Sequence, residues 1–306
     1  MSEAVARALQ DGAPVVALES TIITHGLPRP ENLAAAIEFE QTVAECGAVP
    51  ATIAILDGAA HIGLARDQLE RLAQSEAALK LSARDLPIAM AQGLTGGTTV
   101  AATALLASHA GIRVFATGGI GGVHRDARTT LDESADLGIL GGCRITVISA
   151  GIKSILDIGA TLERLESLSV PVVVLGSDRF PGFWLTDSGH RVDSPVTAAA
   201  EVAAMMKAAD DLALPGGILV ANPLPEAEQL DPALHDRLLA EALEAAETKA
   251  VRGKDVTPFL LDYIHEHTGR RSVDVNLEIV RRNCALGADI ARAWAAMLRR
   301  AAAGNE

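Results

Sequence analysis

Aromatic side chains are scarce in this chain, at 3% of 306 residues. Lysine is scarce against arginine, with five lysines (Lys80, Lys153, Lys207, Lys249 and Lys254) to 21 arginines. Cysteine is limited to Cys46, Cys143 and Cys284. An odd number at wide spacing excludes a disulfide framework and a zinc-knuckle pattern, and predicts three small buried thiols. No apolar run reaches the ~18 residues of a membrane-spanning helix. The opening segment, MSEAVARALQDG, has no basic stretch followed by an apolar one, so it does not read as a signal peptide. These absences predict a soluble, cytoplasmic protein with no membrane partner. Positive charge is short too. The formal net charge of −13 argues against a nucleic-acid polymer as partner, which needs a basic face. A local pocket could still take one small phosphorylated ligand.

Apolar residues, by contrast, make up 49% of the chain, normal for a packed protein. Residues 14–18, 52–56, 113–116, 144–149, 170–175 and 217–221 read as buried strands. Residues 30–46, 100–108, 153–165 and 196–208 read as helices between them. This alternation predicts an α/β fold with a largely parallel, possibly mixed, central sheet and helices on both faces. At the end, Ser272 reads as an N-cap. Leu277, Val280, Cys284, Ala288, Ala291, Ala295 and Leu298 follow at spacings of three or four, one apolar stripe on a long helix. No linker or repeat interrupts the chain, so residues 1–306 read as one domain.

Five segments carry chemistry. In ALESTIITHG (residues 17–26), Glu19 ends an apolar strand, where open α/β sheets put ligands. It reads as a general acid or base, or as a capping or ion-paired carboxylate; His25 reads as a turn-stabilising residue. In QGLTGGTTV (residues 92–100), glycines before a helix start, with Thr98 and Thr99, read as an anion cradle or an ordinary turn. No Gly-Lys-Ser/Thr ending follows, which excludes a nucleotide-triphosphate P-loop. In ATGGIGGVHR (residues 116–125), a dinucleotide fingerprint fails because His124 stands at the third glycine position. Its glycines either bring backbone close to a ligand faced by His124 and Arg125, or form a flexible turn. In LDESADL (residues 131–137), Asp132 and Asp136 would share a helix face. They suit a hard divalent ion that keeps its waters, or complement a helix dipole. Finally, Lys153 follows an apolar strand and would open a helix between Ile152 and Ile155, surroundings that favour a neutral nucleophilic amine. Only an amine can form a Schiff base, so a lysine there stands out in an Arg-rich chain. Lys80 is a second candidate, or a point-charge partner for phosphate.

With these segments assembled, the chain resembles the pseudouridine-5′-phosphate glycosidases, also called the indigoidine-synthase-A-like family. The resemblance runs from Ala17 to about Ala288. It rests on ALESTIITHG, PATIAILDG, the Lys80 segment ending in RDLP, GLTGGTTVAAT, FATGGIGGVHR, DESADL, SAGIKSILDIGATLE and VNLEIVRRN. One departure is Leu27-Pro28-Arg29-Pro30, where Met-Pro and an aromatic would be expected. The resemblance implies an α/β/α layered fold, a homotrimer and one Mn²⁺ per subunit. It also implies reversible cleavage of the C–C glycosidic bond of pseudouridine 5′-phosphate to uracil and ribose 5-phosphate. Lys153 would be the covalent nucleophile, Glu19 the proton donor, and Asp132 the metal residue, largely through waters. Lys80, Val100 and the Ser134-Ala135-Asp136 turn would contact substrate, with His124 and Asn276 in the same pocket. A C-glycoside has no lone-pair-bearing leaving atom, so the usual carboxylate pair does not suffice. A lysine imine beside the scissile bond supplies the electron sink. Two other readings compete: a synthase joining a sugar phosphate to another carbon nucleophile, and a sensor that has kept the fold without catalysis. Intact Lys153, Glu19 and Asp132 argue against the sensor.

Overall fold

The computed structural model describes residues 1–251 and 256–303. Twelve strands occur among them: β1 Val15–Leu18, β2 Val49–Leu56, β3 Ala59–Ile62, β4 Leu79–Leu81, β5 Gly96–Thr98, β6 Val114–Ala116, β7 Thr146–Ser149, β8 Val172–Leu175, β9 Arg179–Gly182, β10 Leu185–Arg191, β11 Pro195–Val196 and β12 Ile218–Ala221. Ten of them form one sheet in the order β11-β8-β12-β7-β6-β1-β2-β5-β4, with β3 also paired to β2; β9 and β10 form a separate antiparallel hairpin. From β11 to β2 every pairing is parallel. Both β3 and β5 run antiparallel to β2, and β4 runs parallel to β5. The sheet is therefore mixed, with a parallel majority.

Alternation along each strand sends side chains to two cores. Val15, Ala17, Phe115, Val147 and Leu219 face one side. They pack against the helices Val100–His109, Ala135–Gly142, Ile158–Ser167 and Pro232–Thr248. Val16, Leu18, Ala116, Ile148 and Val220 face the other. There the helices are Glu31–Glu45, Ala199–Asp211 and Arg271–Ala303. Because both faces are covered, strands such as β1, β7 and β12 are buried at every position, the pattern of a parallel sheet between helix layers. The long C-terminal helix presents the expected stripe, with Val280, Cys284, Ala288 and Ala291 against the sheet. No helix among the described residues is long and apolar enough to cross a membrane.

Four local readings change. Gly96–Thr98 is not a turn but strand β5, hydrogen-bonded on both sides. Its glycines are there for room: a Cβ on Gly97 would meet Thr24 Oγ1 at 2.4 Å and the Ser20 carbonyl oxygen at 2.8 Å. Lys153 does not open a helix, because the helix starts at Ile158 behind an Asp157 cap that accepts from Ala160 N–H at 3.0 Å. The intervening backbone pairs instead with the glycine run after β6, through Ala150 N–H to Gly118 O, Ile120 N–H to Gly151 O and Lys153 N–H to Ile120 O. Asp132 and Asp136 do not share a helix face, since the helix begins at Ala135 with Ser134 as its cap. Ser272, expected as a cap, is the second residue of the helix Arg271–Ala303.

The cysteines also divide. Cys143 and Cys284 are buried, and Cys46 is half-buried. Burial pushes both buried thiols above the ordinary cysteine range. A thiol that does not ionise is a poor nucleophile. Titration with DTNB at pH 8 is expected to find only Cys46 reacting readily in the native protein, and all three thiols after unfolding in urea.

Candidate active site

The strands of the parallel block end at one level, and the polar residues that follow them meet there. Glu19 follows β1. Its two carboxylate oxygens accept from the hydroxyls of Thr21 and Thr117, which fixes the plane of the group. Thr117 follows β6, and the register Leu18↔Ala116 makes it the lateral neighbour of Glu19. The wholly buried Asn283 holds Thr117 in turn: its Nδ2 donates to Thr117 O at 2.7 Å, while its Oδ1 accepts from Asn222, which follows β12, at 3.0 Å. Thr117 and Asn283 lie in the segments quoted for the family resemblance, but the sequence does not single them out. The signal for Thr117 is a polar residue ending an apolar run beside the one that ends in Glu19.

Lys153 lies in the turn after β7, closed by Leu156 N–H to Lys153 O at 2.9 Å. Arg125 braces the protein's own backbone. Its guanidinium donates to Ser154 O at 3.0 Å and Ile155 O at 3.1 Å, clamping the same turn. The glycines before it bring backbone close to the protein's own side chains. A Cβ on Gly121 would stand 2.3 Å from Ser134 Oγ and 2.9 Å from Asp136 Oδ2.

Asp136 is buried, and each oxygen of its carboxylate is taken by a backbone N–H: Gly121 at 2.8 Å and Ala101 at 2.8 Å. It therefore ties the glycine run to the first turn of the helix that Val100 opens. Ser134 caps its own helix by accepting from Asp136 N–H at 3.2 Å, and Ala135 is exposed beside it. His124 Nδ1 lies 3.9 Å from Asp132 Oδ2, and His124 N–H donates to Asp132 O at 3.1 Å. Among the described residues no three His, Cys, Asp or Glu side chains group as a metal cage. One partly exposed carboxylate suits a hard ion that keeps most of its waters, whereas the imidazole beside it is a donor type that softer ions favour.

Thr98 is wholly buried. Its N–H donates to Ser20 Oγ at 2.9 Å and its hydroxyl to Ile53 O at 2.7 Å, so it braces the strand ends. Thr99 caps the helix, accepting from Ala102 N–H at 3.4 Å, and donates its own N–H to Leu81 O at 2.9 Å. The backbone donors expected to form an anion cradle are thus committed inside the protein. Val100 is buried as a whole residue, at 3% exposure. Positive charge gathers instead at Lys80, exposed in β4, near His25. Partial desolvation, then the charges of Lys80 and of Arg29, hold the His25 imidazole below its ordinary range. Arg29, at the departure from the family pattern, donates to Ala73 O at 3.0 Å and Ser75 O at 2.7 Å. Asn276 sits mostly buried on the C-terminal helix and accepts from the Trp184 indole N–H.

A chain of neighbours therefore runs from Thr98 and Ser20 through Glu19 and Thr117 to Ile120 and Lys153. It continues from Gly121 through Asp136 to Ala101. A sequence profile described as "Indigoidine synthase A like protein" matches residues 4–293. The chain belongs to this family. A curated relative from Saccharopolyspora erythraea, named pseudouridine-5′-phosphate glycosidase, is 57% identical over 96% of this chain and 97% of its own length. One of the same name from Nocardioides is 53% identical over 97% of each. Among solved structures, the prealnumycin C-glycosynthase AlnA in complex with ribulose 5-phosphate superposes with a TM-score of 0.91, at 34% identity, over 98% of this chain and 97% of that one. An indigoidine synthase A-like protein from Thermotoga maritima gives a TM-score of 0.85 at 37% identity, over 93% and 94%. With curated relatives at this identity named as enzymes, this member of the indigoidine synthase A-like family is an enzyme.

Asp136→Asn tests the structural part of the site. An amide in place of one carboxylate oxygen faces an N–H donor with another donor. The expected cost is about 2 kcal/mol or more, read as a lower urea midpoint, whatever the substitution does to turnover.

Proposed function

We propose that this chain cleaves the C–C glycosidic bond of pseudouridine 5′-phosphate reversibly, giving uracil and ribose 5-phosphate. The observation that carries the reading is near-full-length identity of 57% to a relative of that name. An amine after β7 and a carboxyl group after β1, the two strands that flank β6, are the groups such a bond requires. In this reading Lys153 Nζ bonds to C1′ of the ribose as the C1′–O4′ bond opens, and Glu19 gives the proton to O4′. The bonded nitrogen loses a proton to the Glu19 carboxylate, and its lone pair then forms C1′=N while the C1′–C5 bond breaks. Uracil leaves with the bond pair and takes that proton from Glu19 at C5. Water hydrolyses the imine, freeing Lys153 and ribose 5-phosphate.

The surrounding residues orient this chemistry. Thr21 and Thr117 hold the Glu19 carboxyl group toward the sugar. Lys80 is the point charge for the 5′-phosphate, with His25 beside it. At a net charge of −13, long-range steering opposes a dianion, so its recognition is short-ranged. Ser134, Ala135 and Val100 line the sugar side, and His124 and Asn276 complete the pocket. Asp132, with His124 beside it, would hold one Mn²⁺ per subunit largely through waters. When bound, the ion supplies positive charge that orients the substrate. The proposal extends to a cytoplasmic homotrimer. A synthase reading has one observation in its favour, the C-glycosynthase with a TM-score of 0.91; its 34% identity against 57% for the glycosidase favours cleavage.

Purified protein with Mn²⁺ is expected to release uracil from pseudouridine 5′-phosphate. Borohydride with ribose 5-phosphate should add the sugar's mass to the Lys153 peptide, and Lys153→Ala should abolish both. Trapping at Lys80 would reassign the nucleophile, and no uracil release would overturn the cleavage reading.

Metal dependence has a separate test. A site of one carboxylate and waters binds weakly. EDTA is therefore expected to remove Mn²⁺ and turnover without shifting the thermal midpoint, and Asp132→Ala to weaken Mn²⁺ binding in a direct titration. Full turnover in excess EDTA would take the metal out of the reaction.

A further inference from the structure

We propose that His235 is a positioning residue for Lys153, acting through a buried hydrogen bond to Ser154. The inference rests on the reading of Lys153 as the attacking amine. His235 sits in the first turn of the helix Pro232–Thr248, and its Nε2 lies 2.7 Å from Ser154 Oγ. Ser154 is 3% exposed and His235 2%. The other ring nitrogen, Nδ1, lies 3.0 Å from Asp236 Oδ1, whose side chain is 77% exposed. An ionised carboxylate only accepts, so Nδ1 carries the proton and Nε2 accepts from the serine hydroxyl. Burial, and to a lesser extent the charge of Arg125, depress the imidazole from its ordinary range, while Asp236 opposes them.

The sequence order and distances suggest a Ser-His-Asp hydrolytic relay, but burial rules that out: a serine with 3% exposure meets no substrate. What the bond does is mechanical. Lys153 reaches its target through a long, rotatable side chain, so the direction of its Cα–Cβ bond decides where Nζ can go. Its turn is held by backbone at Ile120 and by Arg125 at the carbonyls of Ser154 and Ile155. His235 is the one among these that holds a side chain of the turn. A leucine would pack at this position among Leu238, Leu239 and Ala242 without a polar group to satisfy. The imidazole supplies direction instead, which hydrophobic contact lacks.

A second contact links the same histidine to the other side of the pocket. Its ring packs edge-on against Trp184 at 6.2 Å between centroids, and the Trp184 N–H donates to Asn276. The histidine thus bears on Lys153 and, through one ring, on Asn276.

The experiment compares His235→Leu, His235→Gln and Ser154→Ala in the intact chain with pseudouridine 5′-phosphate and Mn²⁺. A displaced amine should lower kcat by about 100-fold with little change in KM. His235→Gln, whose amide oxygen can still accept from Ser154, should recover most of the rate. Removing both partners, His235→Leu with Ser154→Ala, should cost no more than removing one. Borohydride trapping of ribose 5-phosphate should still map to Lys153 in each variant, but more slowly. If His235→Leu does not fold, Ser154→Ala, which deletes one oxygen, carries the comparison. Unchanged kcat and trapping rate in a folded variant would overturn the inference alone. A loss confined to KM, or equal losses in the Leu and Gln variants, would overturn it too. Trapping at another lysine in the unmodified protein would overturn the nucleophile reading, and the inference with it.

Discussion

Asn283 carries more of this architecture than its size suggests. It is wholly buried on the C-terminal helix, so each of its polar atoms must find a partner or cost the protein stability. It satisfies them on the ends of two different strands, at Thr117 after β6 and Asn222 after β12. The helix is thereby locked to the sheet at the level where the strands stop. Thr117 then sets Glu19, and the backbone beyond Thr117 runs beside the Lys153 turn. An acid on one strand end and an amine on another are useful only if those ends keep a fixed separation. A dry amide joining the ends of β6 and β12, the two strands that flank β7, is a stiff way to hold that separation.

Much of the fold can be read from the sequence because burial on both faces writes itself as short apolar runs. The runs at β1, β6, β7, β8 and β12 are legible for that reason, as is the stripe on the long helix. What could not be read is structure whose cause lies elsewhere in the chain. Gly96 and Gly97 look like a turn because glycine favours turns. They form a strand because Leu79 and Ser20 press against them on either side, leaving no room for a side chain. Lys153 looks like a helix start because Ser-Ile-Leu-Asp-Ile follows it. Its backbone groups are instead claimed by the glycine run after β6.

The same distinction holds at the site. Glu19 and Lys153 stand out because a charged residue ending an apolar strand is chemically conspicuous. Thr98 is equally conspicuous by its motif and proves to be internal bracing. Asp136 ties two loops together with both carboxylate oxygens, a role that its spacing from Asp132 does not reveal. His235 lies about eighty residues from Ser154 in sequence, and no local pattern connects them.

The two ends of the sheet bear on a different problem. An open sheet of ten strands offers a row of unpaired backbone groups at each edge, a template on which another chain could add a strand and start an aggregate. Here one edge is β11, two residues long and beginning with Pro195, which has no N–H to offer. The other is β4, three residues long with exposed Lys80 at its centre. A lysine at an edge repels the approach of a second such edge. The cation proposed to hold a phosphate thus also protects the folded protein from its own copies, and selection on solubility and selection on binding would act on one side chain.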